Sequence, residues 1–283
     1  MKAQEMMHPN VITAYPDTSL AQAQRLMQDH HIRHLPVVSG GRLVGIVTDR
    51  DLRKAMPSEA TTLTKGEVNY QLEITAIQTC MTREVVTMCP QDDMVQGAQQ
   101  LLAETFGCLP VVDNGMLVGI VTEINLLRGF LAAAVPAGEF MLVRDYMRTE
   151  PCTVMPNDLV SIAYEHMRKR HVRHLPVISG GLKLVGIVTD RDIRQAGAST
   201  EPHLAVRERV RLLEYMTVNA IMTTPVQTVR GDMAVADAGQ LFLDHKFGCL
   251  PVVGDDNKLE GILTVTDLLR GYVTQYGHTQ TTP

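Results

Sequence analysis

The chain has 283 residues, 45% of them hydrophobic, a length at which about two domains, each with a sizeable core, are expected. Only 4% of residues are aromatic and none is Trp, so the core is aliphatic and stacking on single-stranded nucleic acid is excluded as the main mode of recognition. A formal net charge of −5 removes the attraction that dominates non-specific nucleic-acid binding, while a small phosphate-bearing molecule needs only a local cluster of cations.

From the N-terminus, Val11-Ile12-Thr13 reads as a short strand. Pro16-Asp17 then offers a cap for a helix whose apolar period is set by Leu20, Ala23, Leu26 and Met27. Leu35–Val38 and Leu43–Thr48 are two apolar runs split by Ser39-Gly40-Gly41, a hairpin turn whose glycines permit positive φ. Asp49–Lys54 begins a second helix with Thr48 near its N-cap.

The same order returns three more times. The Leu-Pro-Val landmark falls at Pro36, Pro110, Pro176 and Pro251, in steps of 74, 66 and 75 residues. The opening strand recurs at Val85-Val86-Thr87, Cys152-Thr153 and Val226-Gln227-Thr228, and the helix cap at Gln91-Asp92, Asn157-Asp158 and Asp232. His31-Ile-Arg-His-Leu-Pro-Val-Val-Ser-Gly-Gly41 returns as His171-Val-Arg-His-Leu-Pro-Val-Ile-Ser-Gly-Gly181, and Phe106-Gly-Cys-Leu-Pro-Val-Val112 as Phe247-Gly-Cys-Leu-Pro-Val-Val253. Repeats one and three are alike, as are two and four, so a two-repeat module has been duplicated. The expected boundaries are 1–56, 78–130, 143–196 and 216–276, joined by linkers at 57–77, 131–142 and 197–215. Each repeat has the order strand, helix, strand, strand, helix, an α/β (α+β) unit. A unit of about 55–60 residues is too small to bury its apolar faces alone, so two are expected to pair across their sheets.

The order helix, Arg-His-Leu-Pro-Val, glycine turn, Leu-Val-Gly-Ile-Val-Thr-x-x-Asp resembles a CBS domain, and two in succession resemble a CBS-pair, or Bateman, module. All four repeats carry it. The linker Ser58–Leu72 is also similar to that of stand-alone bacterial CBS-pair proteins, including the acetoin-utilisation type. The resemblance implies a regulatory module that binds AMP, ADP, ATP or another adenosyl ligand such as S-adenosylmethionine, with no other cofactor, and modulates a protein partner. It also implies assembly in flat discs of four units, which one chain could close by itself or two chains could share as a homodimer.

The chemistry of the motif is legible residue by residue. In Gly45-Ile-Val-Thr-Asp-Arg-Asp51 a strand feeds a helix N-terminus, so first-turn N–H groups and the Thr48 hydroxyl form an anion-binding corner. Asp51, one helical turn on, can accept two hydrogen bonds from a ribose diol. Thr189/Asp192 and Thr264/Asp267 repeat the pair; a capping role alone is expected to need the Thr but not the Asp. Repeat two has Thr122/Asn125, where the uncharged Asn is expected to grip a diol less well, leaving up to three competent sites. Phosphate-binding charge comes from Arg33, His34 and Arg50 in repeat one and from Arg173, His174 and Arg191 in repeat three. Arg33-His34 and Arg173-His174 stand where AMP-sensing relatives, such as the γ subunit of AMP-activated kinase, carry a basic dipeptide in the usual order His-Arg. The adenine walls are expected from Thr13, Ile32, Pro36, Val37 and Ile46, and from Thr153, Val172, Pro176, Val177 and Ile187.

Other signals are negative. The N-terminus has no apolar h-region and no apolar run approaches the ~20 residues of a membrane span, so a cytoplasmic protein that binds neither membrane nor nucleic acid is expected. Five cysteines (Cys80, Cys89, Cys108, Cys152, Cys249) at wide spacing with no C-x-x-C point to buried thiols. His30, His31 and His34, and His166, His171 and His174, cluster without a repeating Asp, Glu or Cys, so no metal site is expected. Nucleotide-fold, nucleophile-elbow and metalloprotease motifs are all missing, which points to a sensor rather than an enzyme. Two competing readings are a scaffold with vestigial clefts and a metal- or redox-responsive switch.

Overall fold

A computed structural model describes residues 1–55, 64–104, 107–134, 141–199, 215–245 and 247–276. The chain divides into two compact halves, Met1–Phe130 with Tyr272–Pro283, and Leu131–Gly271. The elements through repeats one and two are α1 (Ala3–Met6), α2 (Leu20–Asp29), β1 (His34–Ser39), β2 (Arg42–Thr48), α3 (Asp49–Ala55), α4 (Lys65–Ile74), α5 (Met94–Glu104), β3 (Cys108–Asp113), β4 (Met116–Thr122) and α6 (Glu123–Ala134). The strands form an antiparallel sheet in the order β1-β2-β4-β3. Repeats three and four supply α7 (Val143–Tyr146), β5 (Arg148–Thr149), α8 (Val160–Arg170), β6 (His174–Ser179), β7 (Lys183–Thr189), α9 (Asp190–Ser199), α10 (Val235–His245), β8 (Cys249–Val253), β9 (Leu259–Thr264) and α11 (Val265–Tyr276). Here β5-β9-β8 form one sheet and β6-β7 another, joined by a bridge between Lys183 and Lys258.

All four hairpins share one register. His34 pairs with Thr48, Cys108 with Thr122, His174 with Thr189 and Cys249 with Thr264, and each first strand shifts register once, after Val37, Val111, Val177 and Val252. The turns take left-handed backbone as the composition demands: Gly40 and Gly41 in repeat one, Asn114 and Gly115 in repeat two. Repeat three, with its one inserted residue, places Leu182 there at φ 65° beside Gly181.

The predicted opening strands are corrected. They shrink to single parallel bridges one residue beyond or near each predicted run, at Ala14–Val37, Met88–Val111, Val154–Val177 and Val229–Val252. In the first, Ala14 N–H donates to Pro36 O and Val38 N–H to Ala14 O. The ladder stops there because Pro36 and Pro16 have no N–H to extend it. The predicted helix caps also move. Ser19 Oγ, not Asp17, accepts from Gln22 N–H at the start of α2, while Asp92 and Asp158 instead accept from the backbone N–H of Cys89 and Met155 and close the preceding turn.

Helix α4 lies inside the predicted 57–77 linker. A capping box starts it: Thr64 Oγ accepts from Glu67 N–H, and the Glu67 carboxylate accepts from Thr64 N–H at 2.7 Å. Val68 and Leu72, four residues apart, then face the core of repeat one. Residues 57–63, 135–140 and 200–214 of the predicted linkers, and Phe106, lie outside the described residues.

Two cores follow from the alternation of the strands. Leu35, Val37 and Val47 pack with Ala23, Met27 and Leu52, and Leu175, Val177 and Val188 with Ala163, Met167 and Ile193. Burial of each larger side chain contributes about 1.5–3 kcal/mol. The two repeats of a module interlock as well. The segment that opens one repeat bridges the second hairpin strand of its partner, through Thr82–Ile46, His8–Ile120, Thr223–Ile187 and Arg148–Ile262. The Gly of each Val-Gly-Ile or Glu-Gly-Ile makes room for this: a Cβ on Gly45 would lie 2.8 Å from Met81 Sδ, and one on Gly261 2.7 Å from Arg148 O.

Candidate functional site

Strand periodicity sorts the predicted residues. Paired residues share a face and neighbours alternate, so His34, Pro36, Ile46 and Thr48 lie on one face of the β1-β2 hairpin, and His174, Pro176, Ile187 and Thr189 on one face of β6-β7. Val37 and Val177 point the other way. Both have 0% exposure and sit in the helical cores, so their assignment to an adenine wall is corrected; a one-residue step along a strand changes face. Ile32 and Val172 are half-buried and pack on the same two cores. Thr13 and Thr153 are half-buried, one residue before the bridging Ala14 and Val154. Ile187 is buried beside Cys249 and Ile262.

The T-x-x-D motif is a capping box in every repeat. Asp51 Oδ2 accepts from Thr48 N–H at 2.9 Å and from Thr48 Oγ–H at 2.6 Å, while Thr48 Oγ accepts from Asp51 N–H at 3.3 Å. Asp192 holds Thr189 at 2.7 Å through both donors, and Asp267 holds Thr264 at 3.0 and 2.5 Å. Asn125 does the same in repeat two, accepting from Thr122 N–H at 3.0 Å and Oγ–H at 2.7 Å. The expectation that capping needs the Thr but not the fourth residue is therefore corrected: both ends of the motif satisfy helix-start N–H groups, and an amide serves as well as a carboxylate.

This geometry also narrows the anion-binding corner. Asp49 N–H donates to Arg33 O and Asp51 N–H to Thr48 Oγ; Asp190 N–H and Asp192 N–H are engaged likewise by Arg173 O and Thr189 Oγ. The Thr48 proton is committed to Asp51, which leaves that hydroxyl able to accept but not to donate. Most of the donors for a phosphate must then be side chains. Arg33, Arg50, Arg173 and Arg191 are exposed, and His34 and His174 half-buried. In contrast, the Oδ1 atoms of Asp51 and Asp192 accept no hydrogen bond within the described residues, and only Oδ2 of each is engaged by its Thr. Asp267 differs, because Arg148 Nε lies 2.7 Å from its Oδ1.

Two glycines that the sequence reading passed over explain why the basic dipeptide occupies only one repeat of each module. Gly107 and Gly248 align with Arg33 and Arg173. A Cβ on Gly107 would fall 2.5 Å from His34 Nε2, and one on Gly248 would fall closer still to His174 Nε2. Each histidine fills the space that a side chain at its partner's equivalent position would need. The signal was present in the paired Phe-Gly-Cys motifs, but pairing across a module shows only in three dimensions.

His31 and His171 have left-handed backbone, at φ 53° and 54°; His171 is the C-cap of α8, and His31 follows the C-cap His30 of α2. Among the described residues no group of three or more His, Cys, Asp or Glu could hold a metal ion. Burial pushes the Cys108 and Cys249 thiols up to about 12, and it raises Cys80 and Cys152 as well, with Asp51 adding to the rise at Cys80 and Arg170 opposing it at Cys152. Such thiols are poor nucleophiles. Two surface depressions, one including Gln4, Met7 and Asp113 and one including Gln24, Arg25 and Glu73, contain none of the motif residues. No helix among the described residues is long and apolar enough to cross a membrane.

The family model for the CBS domain matches residues 3–58, 74–132, 143–199 and 218–274. Protein MJ1225 of Methanocaldococcus jannaschii is 26% identical over 268 residues, covering 92% of this chain and 94% of that protein. The crystal structure of MJ1225, a protein proposed as an archaeal homologue of g-AMPK, is similar with a TM-score of 0.77 at 25% identity, over 96% of this chain and 100% of that one. A conserved protein of Pyrococcus horikoshii has the same fold, with a TM-score of 0.67 at 22% identity over 96% of this chain and 99% of its own.

Proposed function

Because the chain belongs to the CBS domain family, we propose that it is a regulatory sensor of adenine nucleotides or a related adenosyl ligand, acting in the cytoplasm on a protein partner rather than as an enzyme. The observation that carries this reading is the uncommitted Oδ1 of Asp51 and of Asp192, each beside the hairpin face that also presents half-buried His34 or His174. A ribose diol donates to that oxygen; Pro36 and Ile46, or Pro176 and Ile187, flank the adenine; the neighbouring Arg and His side chains take the phosphate. The similarity to a protein proposed as a g-AMPK homologue favours AMP as the first ligand to test.

Binding alters a partner only if the ligand has different affinity for two arrangements of the repeats. Regulation in this reading is therefore a difference between two binding free energies. Calorimetry with AMP, ATP and S-adenosylmethionine on the full chain tests it, together with Asp51→Asn and Asp192→Asn. Saturable binding that weakens in the variants supports it, and no binding of any of the three overturns it.

The scaffold reading is favoured by one observation: the capping boxes give every T-x-x-D residue a structural role without a ligand. Melting decides between the two. A ligand present at 100 times its Kd stabilises by about 2.7 kcal/mol, whereas a scaffold melts at the same temperature with or without nucleotide.

A further inference from the structure

The three motif aspartates differ in what meets their second oxygen. Asp267 has a side chain only 4% exposed, and its Oδ1 accepts from Arg148 Nε at 2.7 Å, while its Oδ2 is held by Thr264. Arg270 Nη1 lies 3.8 Å from the same Oδ1, beyond hydrogen-bond distance. Arg148 stands in β5 opposite Ile262, the register position that Thr82 and Thr223 hold against Ile46 and Ile187 in the repeats whose motifs end in Asp51 and Asp192. A short polar residue thus occupies that place beside the two uncommitted aspartates, and a guanidinium occupies it beside the third.

We propose that Arg148 is an internal occupant of the repeat-four site: it holds the carboxylate that a ribose diol would use, so the chain has two open nucleotide sites, at Asp51 and Asp192, and a third that is closed from within. The inference rests on the reading that the motif aspartate receives the diol. A guanidinium brings a full positive charge to the carboxylate, an attraction between opposite charges that a neutral hydroxyl donating to the same oxygen lacks. Arg148 is also tethered to the chain, so it forms this bond without the loss of translational freedom that a free ligand suffers. A neutral diol cannot displace it on those terms.

The test counts bound AMP by native mass spectrometry and calorimetry on the full chain, with Arg148→Thr, the residue found at 82 and 223, and Arg148→Gln as a second variant should the first fold poorly. Two AMP per wild-type chain, three per R148T or R148Q chain and a return to two on adding Asp267→Asn support the proposal, with the new site at least about tenfold tighter than in the wild type. Arg270→Gln is expected to leave the count at two. Three AMP per wild-type chain, or two per folded R148T or R148Q chain, overturns it. If the wild type binds none, the nucleotide reading fails, and the variants then decide this inference alone: one site gained supports it and none overturns it.

Discussion

Replacing Asp51 by Asn and, separately, by Ala separates the structural and ligand-binding roles that the T-x-x-D motif combines. Asp51 Oδ2 accepts from both the N–H and the hydroxyl of Thr48, so Ala removes two hydrogen bonds and leaves a helix-start N–H without its cap. Loss of such a cap costs about 1–2 kcal/mol. For a chain of this size that lowers Tm by about 2–4 °C per kcal/mol. Asn is expected to change stability by less than about 0.5 kcal/mol, because Asn125 already makes the same two bonds to Thr122 at 3.0 and 2.7 Å. With the carbonyl of Asn held by Thr48, its NH2 group occupies the position of Oδ1. A diol there meets a donor in place of an anionic acceptor, and AMP affinity falls about tenfold to a hundredfold. Thermal unfolding without and with AMP reads both effects. An Asn variant that melts as low as the Ala variant refutes the capping argument, and one that keeps wild-type AMP affinity refutes the role of the charge.

Gly107→Ala drives the His34 ring from its place without straining the backbone, so AMP affinity is expected to fall at the repeat-one site with Tm changed by no more than a few degrees; unchanged affinity by calorimetry places His34 away from the ligand. Leu175→Ala, at a residue with 0% exposure, is expected to destabilise by about 2–5 kcal/mol in chemical denaturation, and a smaller loss contradicts the core assignment. Folding raises the Cys108 and Cys249 thiols from 9.0 to about 12, so the folded state keeps protons that the unfolded state releases above pH 9. Their contribution to stability is therefore intact below pH 9 and is lost as the pH climbs toward 12, with a slope of up to about 1.4 kcal/mol per pH unit for each thiol. Denaturation midpoints between pH 8 and 11 check this, and the Cys108→Ala/Cys249→Ala double variant is expected to flatten the fall. At pH 8 a thiol reagent is expected to label exposed Cys89 in the native protein and to reach Cys108 and Cys249 only on unfolding.

The repeat made most of the fold legible, because each hairpin carries its own turn glycines and its own alternation, and the same register recurs wherever Leu-Pro-Val recurs. What escaped the sequence depended on partners distant in the chain. The opening runs look like strands by composition, yet the proline of each partner strand (Pro36, Pro110, Pro176 or Pro251) has no N–H to extend the pairing, and which residue is bridged depends on that strand. Val37 and Val177 follow the apolar pattern of a binding wall equally well as that of a core; only the pairing of Pro36 with Ile46 fixes which face each occupies. Helix α4 was hidden in a segment whose only apolar spacing is Val68 and Leu72, although its Thr64-x-x-Glu67 start was readable. Within the site, the spacing of Thr and Asp located the helix start but gave no view of Arg148, which comes from 119 residues earlier in the chain.

The most direct test is the heat of AMP binding to the full chain and to the Asp51→Asn/Asp192→Asn double variant under the same conditions. Saturable binding by the wild type that is lost or weakened at least about tenfold at each site in a double variant that melts within a few degrees of the wild type is the predicted result. Equal affinity in the two proteins, or no heat from AMP, ADP, ATP or S-adenosylmethionine with the wild type, contradicts the assignment of these aspartates to an adenosyl-ligand site.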